Sequence, residues 1–313
     1  MPCRDISVVE DRENDKLGRT DGYMLLAALF WSVNLPAIKI ALREFTPHGF
    51  NGPRLALASL LLLLVLWRKR EKTALCRSDV LRIVVLGIMG NTFYQLVYIN
   101  GVSRASALNT TMIMAMTPIF IALLSAAFLG ERIHLAGWAG IFISFFGLYL
   151  ILSGGRSFSG LPDGDLKGQL FILLGDLLWA SYTVFSKPLL KKISPLQLTT
   201  LTLAVGTLFY LLLTMKNVAV LQPRTLSSTS WAALVYSSVF ALAVSYVIWY
   251  SSVRRVGNTK TGIYGNITAV FTIFFAHLFL SETMTVSRAA GMLAIFVGFT
   301  LTRVGCRWIQ RRG

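Results

Sequence analysis

The sequence predicts an all-α integral membrane protein, and two observations support this fold class. Of its 313 residues, 55% are hydrophobic and 14% are charged, whereas about a quarter of the residues of a soluble domain are charged. The apolar residues also gather into ten runs, each near the ~20 residues that an α-helix needs to cross ~30 Å of hydrocarbon. These runs begin near Tyr23, Pro47, Val80, Ser106, Leu135, Gly168, Pro195, Trp231, Thr259 and Val286.

The placement of the basic residues predicts the orientation of the chain. Its net charge of +16 comes mainly from segments such as WRKREK (67–72) and the tail at 303–312, while alternate loops are sparsely charged. This asymmetry is the positive-inside pattern, and it places both termini in the cytosol. Because the charge has this topological explanation, the sequence gives no reason to expect nucleic-acid binding. Cys3, Cys76 and Cys306 all fall on the predicted cytosolic side, where thiols stay reduced.

Several other features narrow the class of protein. The first 21 residues are polar and lack an apolar core and a cleavage site, so we expect a cytosolic tail and no signal peptide. The sequence has no Gly-rich phosphate-binding loop, and His48, His134 and His277 are scattered. We therefore expect neither an enzyme nor an ATP-driven pump, with no cofactor and no metal site. The expected location is the bacterial cytoplasmic (inner) membrane, as a multi-pass protein.

The chain contains two homologous halves. At an offset of 148, Trp31 aligns with Trp179 and Lys39 with Lys187, and at an offset of 151, Glu131 aligns with Glu282, Gly140 with Gly291 and Gly147 with Gly298. We expect a tail at 1–21, five-helix repeats at 22–153 and 168–305, a linker at 154–167 and a basic tail at 306–313. Because five spans is an odd number, the second repeat enters the membrane from the opposite side. Inverted repeats are typical of secondary transporters.

Several motifs resemble the drug/metabolite transporter superfamily, of the EamA permease type. They are the Trp31-to-Lys39 segment, Arg54 in PRLALASLLLLL, and SALNTTMIMAMTPIFIALLSAAFLGERI at 106–133, which the second half echoes at 258–283. The resemblance covers about residues 22–305 and implies a ten-span carrier of metabolites. It also implies a central cavity formed by the third, fourth, eighth and ninth spans. The second half departs from the pattern at Ala269. This residue aligns with Pro118 of the first half, and because it is not a proline, no kink is expected there.

Polar side chains form one face of the third span. Asn91, Tyr94, Gln95 and Tyr98 recur at i, i+3, i+4 and i+7, and three of their counterparts in the eighth span are Ser245, Tyr246 and Trp249. One interpretation is a ligand cavity, to which Trp31 and Trp179 would add aromatic surface. The other is hydrogen bonding between helices, a common use of such groups in membranes. We favour the substrate-binding interpretation.

Three ionisable groups within predicted spans are functional candidates, because charge is costly in hydrocarbon. Asp176 and His277 are candidates for proton coupling, and the simpler alternative for each is a hydrogen-bonded packing residue. Arg54 has a guanidinium that suits a carboxylate or phosphate of the substrate. The alternative for Arg54 is a structural hydrogen bond to helix-end carbonyls.

Four charged residues end corresponding helices on opposite membrane faces, and we assign them to gating. They are Lys39 and Lys187, and Glu131 and Glu282. The glutamates could pair in turn with lysine or backbone donors as the inner and outer gates close. For the lysines, extension toward the lipid headgroups is an equally simple explanation.

These features together predict a secondary transporter of small metabolites, with amino-acid-like compounds first, that works by alternating access. Efflux is the expected direction, and protons are the expected coupling ion if transport is coupled. The lipid bilayer is its other partner, and a homodimer through the glycines of the fifth and tenth spans is an option. A flippase for a lipid-linked substrate and an intramembrane enzyme are the alternatives.

Overall fold

The computed structural model describes residues 19–71, 75–129, 135–153, 163–219 and 226–310, and these ranges are helical with no β-strand. In lipid, backbone polar groups must be bonded within the protein, and a helix does this within one segment. The helices are α1 (Arg19–Ala41), α2 (Pro47–Lys69), α3 (Arg77–Arg104), α4a (Ala107–Met114), α4b (Thr117–Leu129), α5 (Leu135–Ser153), α6 (Asp163–Leu190), α7 (Pro195–Ala219), α8 (Ser228–Val256), α9 (Asn258–Leu280) and α10 (Val286–Gln310).

Within the described residues, seven helical segments are long and apolar enough to cross a membrane: α1, α2, α3, α4a with α4b, α6, α7 and α8. Shorter apolar stretches lie in the remaining helices, at Leu135–Ile151, Ile267–Leu280 and Val286–Gly298. Each of the ten predicted apolar runs falls on one of these segments. The protein is therefore an all-helical, multi-pass integral membrane protein.

The outer surface of the helix bundle is apolar and its interior is mixed. Large side chains such as Phe142 (71% exposed) and Leu60 (65% exposed) point outward, while Asn51, Thr110 and Ser186 are fully buried. A soluble protein has the opposite distribution, because water rather than lipid surrounds it. In a bilayer, buried polar groups bind helices to each other and line ligand sites.

Helix starts at the membrane surface are fixed by side-chain caps. Ser106 accepts a hydrogen bond from the Asn109 N–H (3.1 Å) at the start of α4a. At the start of α7, Ser194 accepts from the Gln197 N–H (3.1 Å) and Gln197 accepts from the Ser194 N–H (3.0 Å), which is a capping box. These caps satisfy backbone donors that would otherwise be left without a partner.

Residues that align in the two repeats contact each other directly. Ser59 and Thr207, at the offset of 148, share a hydrogen bond of 2.7 Å. Gln95 donates to the hydroxyl of Tyr246, its counterpart at the offset of 151, over 3.2 Å. Counterparts touch in this way where an approximate two-fold axis passes between them. The two repeats therefore meet along the line of α2, α3, α7 and α8.

Two further contacts between the repeats also occur as a symmetric pair. The Glu44 carboxylate, in the loop after α1, accepts a hydrogen bond from the Ser227 N–H (2.8 Å), which lowers the pKa of Glu44. Lys192 forms a salt bridge with Asp79 (3.0 Å). Lys192 is the counterpart of Glu44 at the offset of 148, and Asp79 and Ser227 both lie at the starts of matching helices, α3 and α8. Each repeat therefore contributes the loop of one contact and the helix start of the other.

The helices α5 and α10 cross at glycines. A Cβ on Gly291 would lie 2.6 Å from the Gly147 carbonyl oxygen, and a Cβ on Gly298 would lie 2.3 Å from the Gly140 carbonyl oxygen. Gly140 and Gly147 are the counterparts of Gly291 and Gly298, so symmetry repeats one contact. The close approach of two backbones is the usual role of glycine between membrane helices, and here these glycines are used within one chain.

We expect Gly298→Ala to lower the free energy of unfolding by about 1–3 kcal/mol, as overpacking does, because the new methyl would overlap the backbone of α5. The measurement is the midpoint of thermal unfolding in detergent. Gly262→Ala is the control, since a Cβ there would lie at an ordinary 3.5 Å from Pro118. Equal midpoints for the two variants would show that the crossing tolerates a side chain.

Three helices depart from regular α geometry near the middle of the bundle. Helix α3 contains a π-helical segment at Ile88–Phe93, and α8 contains one at the matching position, Ser237–Val244. The fourth span is interrupted at 115–116, just before Pro118, whereas α9 is continuous, as expected from Ala269 at the equivalent position. Such irregularities are frequent at functional sites because they re-aim side chains and free backbone groups.

Candidate functional site

A cavity lies between the two repeats, with about 790 Å³ of empty space including the part open to the exterior. Both repeats form this cavity. It is lined by residues of α1, α2, α3, α4a and α4b in the first repeat and of α6, α8 and α9 in the second. The lining residues are Trp31, Asn34, Leu35, Arg54, Tyr94, Tyr98, Thr111, Met114, Thr117, Trp179, Ala241, Tyr246, Trp249, Gly265, Thr268, Ala269 and Thr272.

Aromatic rings form much of the cavity wall. The rings of Trp31 and Trp179, which are counterparts, meet edge to face with centroids 6.3 Å apart. Tyr246 packs on Trp179 at 4.9 Å, Tyr94 packs on Trp179 at 5.5 Å, and Trp249 packs on Trp31 at 5.4 Å. We call these five residues the aromatic cage. Because each ring is held by others, the cage offers a stiff apolar surface to a ligand.

Seven of the ten residues that the sequence assigns to substrate binding line this cavity. They are Tyr94, Tyr98, Tyr246, Trp249, Trp31, Trp179 and Arg54. The structure therefore brings together residues from five helices that lie far apart in the sequence.

The other three residues assigned to substrate binding lie behind the wall. Gln95 donates to the Tyr246 hydroxyl and so supports a cage residue. Ser245 donates to the Phe240 carbonyl (2.7 Å), five residues earlier, within the π-helical segment of α8. Asn91 is fully buried against Gly206 of α7. Gln95 and Asn91 therefore contact another helix, whereas Ser245 bonds within its own helix.

Arg54 is buried, at 3% exposure, and lines the cavity. Its Nη1 donates to the Asn51 Oδ1 over 2.8 Å, and its Nε has no hydrogen-bond partner. Among the residues that the structure describes, no carboxylate lies within 4.0 Å of the guanidinium. Helix-end carbonyls, the structural alternative for Arg54, are not among its hydrogen-bond partners there.

Asp176 is buried at 1% exposure and lies beside the cavity. One of its oxygens bonds to the Thr117 hydroxyl, and the other has no partner. The same Thr117 hydroxyl lies 2.7 Å from the Met114 carbonyl oxygen across the break between α4a and α4b. Thr117 lines the cavity, so this carboxyl is one residue away from a ligand there.

His277 lies away from the cavity. Its imidazole is exposed near the end of α9, where Nδ1 is 3.1 Å from the Glu282 carbonyl oxygen. The ring therefore contacts the turn between α9 and α10. This position does not bring His277 together with Asp176.

Lys39 and Glu282 converge on the start of α4a. The Glu282 carboxylate accepts from the Ala107 N–H (2.8 Å) and the Leu108 N–H (2.9 Å), and the Lys39 ammonium donates to the Ala105 carbonyl oxygen. An anion at a helix N-terminus is favourable because the free N–H groups carry partial positive charge. We call this cluster the outer lock, since the predicted topology puts it on the outer face.

The symmetry-related cluster on the opposite face is described in part. Lys187 is half-buried, three residues before the end of α6. Glu131 lies outside the described residues. In the alignment of the repeats, the counterpart of Ala107 is Asn258, at the start of α9.

Sequence reasoning missed the cavity residues of α4 and α9. Thr111, Met114 and Thr117 recur every three residues in the fourth span, and Gly265, Thr268 and Thr272 follow helical spacing in α9. Small and polar residues on one face were therefore the available signal. Asn34 of α1 was also missed, and it accepts a hydrogen bond from Ser237 (2.5 Å). The described residues contain no group of His, Cys, Asp and Glu that could hold a metal ion.

The fold and this cavity define a class: a multi-pass helical membrane protein of two related repeats around a central site. The EamA-like transporter family model matches residues 19–153 and 166–304, one match in each repeat. The chain therefore belongs to the EamA-like transporter family.

Similar proteins carry the same general description. An uncharacterized transporter of Archaeoglobus fulgidus is 28% identical over 284 residues, covering 91% of this chain and 97% of its own. The uncharacterized transporter YyaM of Bacillus subtilis is 24% identical, and the match covers 88% of this chain and 90% of YyaM. The uncharacterized transporter YvbV of the same organism is 27% identical, and the match covers 91% of this chain and 92% of YvbV. A crystal structure at 17% identity matches with a TM-score of 0.67 over 93% of this chain and 98% of that one, which shows a shared fold.

Proposed function

We propose that the protein is a secondary carrier that exports small, amino-acid-like metabolites across the bacterial inner membrane by alternating access. Membership of a transporter family and a cavity built by both repeats support this proposal. The absence of any ATP-binding motif from the sequence fits transport driven by gradients. We also propose ten spans in two inverted repeats, with both termini in the cytosol. At ~1.5 Å per residue, the 19 residues of α5 reach about 28 Å, enough to cross the hydrocarbon.

The outer lock is the single observation that carries the mechanism. Lys39 and Glu282 hold the start of α4a. In the sequence alignment of the two repeats their counterparts are Lys187 and Glu131, which the predicted topology assigns to the other membrane face. Two copies of one closing device, placed on opposite faces by an inverted repeat, are what alternating access requires. We propose that the outer lock and an equivalent inner lock close in turn.

We propose proton coupling through Asp176 and Thr117. The Thr117 hydroxyl has one hydrogen to donate and two neighbouring acceptors, the Met114 carbonyl and the Asp176 carboxyl. When Asp176 is ionised, Thr117 donates to it. When Asp176 is protonated, it donates to Thr117, which then bonds to Met114 across the break in the fourth span. The proton thereby changes how α4a and α4b are joined.

The test of the proposed function is counterflow in sealed proteoliposomes. Vesicles are loaded with a pool of unlabelled amino acids and are offered trace amounts of labelled ones. We expect transient accumulation of label in vesicles that contain the protein and none in empty vesicles. If correctly folded protein gives no counterflow with any amino acid in the pool, the proposed substrate class is wrong.

A further inference from the structure

The central cavity contains a buried positive charge without a counter-charge. Arg54 is a cationic side chain, and among the described residues it has no carboxylate within 4.0 Å. The Asn51 amide gives it one hydrogen bond, and its Nε is left without a partner. An unpaired charge in a low-dielectric interior is unfavourable. A ligand that carries a negative charge would remove that cost.

The unpartnered polar atoms of the cavity wall are donors. Of the described lining residues, Arg54 and Trp249 have a buried side-chain nitrogen with no hydrogen-bond partner, and both nitrogens carry a hydrogen. Trp249 is 2% exposed, so water does not readily replace the missing partner. A ligand that satisfies this wall therefore presents hydrogen-bond acceptors.

From these observations we infer that the cargo is a monocarboxylate with an aromatic or aliphatic body, whose carboxylate pairs with Arg54 while the aromatic cage holds the body. This inference rests on the proposed carrier function and specifies its substrate class. A guanidinium fork matches a carboxylate in a bidentate geometry. Arg54 is the one cationic side chain among the described lining residues, so the site balances one negative charge and leaves a phosphate dianion uncompensated.

Asp176 does not supply the missing counter-charge. Its bonded oxygen is engaged by Thr117, and no ion pair joins it to Arg54. The two side chains are thus separate, with Arg54 facing the cavity and Asp176 behind Thr117. This arrangement leaves the Arg54 guanidinium for the cargo and the Asp176 carboxyl for the proton.

The test compares 3-phenylpropionate with 3-phenylpropanamide, two probes of the same shape that differ in charge. Calorimetric titration is performed on the full chain in lipid nanodiscs. We expect the wild type to bind the carboxylate more tightly than the amide by roughly 10-fold to 100-fold, as for a hydrogen bond to a charged group. Arg54→Gln should abolish this preference, and Arg54→Lys should retain part of it.

Two further variants and one further probe sharpen the result. Arg43→Gln makes the same change at an exposed arginine outside the cavity and should keep the wild-type preference. Trp249→Phe keeps an aromatic ring, although a smaller one, and removes the indole N–H donor, so it should weaken carboxylate binding by a few-fold. Equal binding of both probes by the wild type, binding of neither, a preference that survives Arg54→Gln, or tighter binding of phenyl phosphate would each overturn the inference.

Counterflow with the same variants separates this inference from the proposed function. If wild type and Arg54→Gln exchange a neutral or cationic amino-acid derivative equally well, the protein is a carrier and the carboxylate assignment is wrong. If the wild type shows no counterflow at all, the carrier proposal fails, whatever the titrations give. Loss of carboxylate exchange in Arg54→Gln with retention in Arg54→Lys supports both.

Discussion

Asp176→Asn is expected to abolish transport driven by a pH gradient and to leave counterflow near the wild-type rate. A gradient of one pH unit is worth about 1.4 kcal/mol, which corresponds to about tenfold accumulation if one proton is exchanged per substrate. The asparagine side chain is always neutral, so it mimics the protonated carboxyl but carries no proton across. Accumulation under the gradient should therefore fall to about one, while exchange of substrate for substrate continues.

The physical basis of this expectation is the bond between Asp176 and Thr117. The carboxyl is buried, and the Thr117 hydroxyl links it to the Met114 carbonyl at the break of the fourth span. Thr117→Val removes this link and should also reduce the response to pH, whereas Thr117→Ser should preserve it. Both variants keep the charge of Asp176, so they report on the link alone.

The matched control for the threonine variants is Thr214→Val. Thr214 is equally buried, lies on α7, and bonds to the Tyr210 carbonyl of its own helix. We expect its pH response to match the wild type. If Asp176→Asn loses counterflow and gradient-driven transport together in a correctly folded protein, Asp176 is needed for translocation itself and the coupling role is wrong.

Glu282→Gln is the second variant with a large expected effect, because it weakens the outer lock. The wild-type carboxylate accepts two backbone hydrogen bonds at the start of α4a. A glutamine side chain has only one acceptor oxygen, so it can accept from one of these two N–H groups. Its NH₂ group is itself a donor and cannot accept from the other. Loss of one hydrogen bond to a charged group costs about 1.5–3 kcal/mol, so the ratio of outer-closed to outer-open protein should fall roughly 10-fold to 150-fold.

The measurement is labelling of Thr111→Cys, a cavity position one turn into α4a, by a membrane-impermeant maleimide added outside oriented vesicles. The native cysteines do not interfere if they face the cytosol, as the topology predicts. Glu282→Gln should label faster than the background carrying Thr111→Cys alone. Glu131→Gln is the reciprocal control, because weakening the proposed inner lock should slow labelling from outside. Equal rates in all three proteins would refute the two-lock mechanism.

The sequence predicted the class of fold well because the physics behind it is local. A run of about 20 apolar residues determines a membrane helix whatever surrounds it, and an offset of 148–151 between matching residues identifies a duplication. The aromatic positions Trp31, Trp179, Tyr94 and Tyr246 were also predictable, since a polar or aromatic face within an apolar helix is visible in the spacing. These four rings do meet in the cavity.

Other features of the candidate site could not be predicted, because they depend on which helices are neighbours. The sequence placed Asn91 and Tyr94 on one face, but the structure separates them, with Asn91 against α7 and Tyr94 in the cavity. The role of Thr117 was not visible either. A threonine after a helix break is common, and only its contact with Asp176 on α6 gives it significance.

By itself, the sequence determined that this chain is helical, spans a membrane several times and is built from two repeats, since apolarity and self-similarity are properties of the chain alone. The tertiary structure decided that Arg54 faces the cavity without a counter-charge, that Glu282 holds the start of α4a, and that His277 lies outside the site. The reason is that charge pairing and helix contact depend on distances across the bundle. Such distances are set by packing among helices, which no single segment encodes.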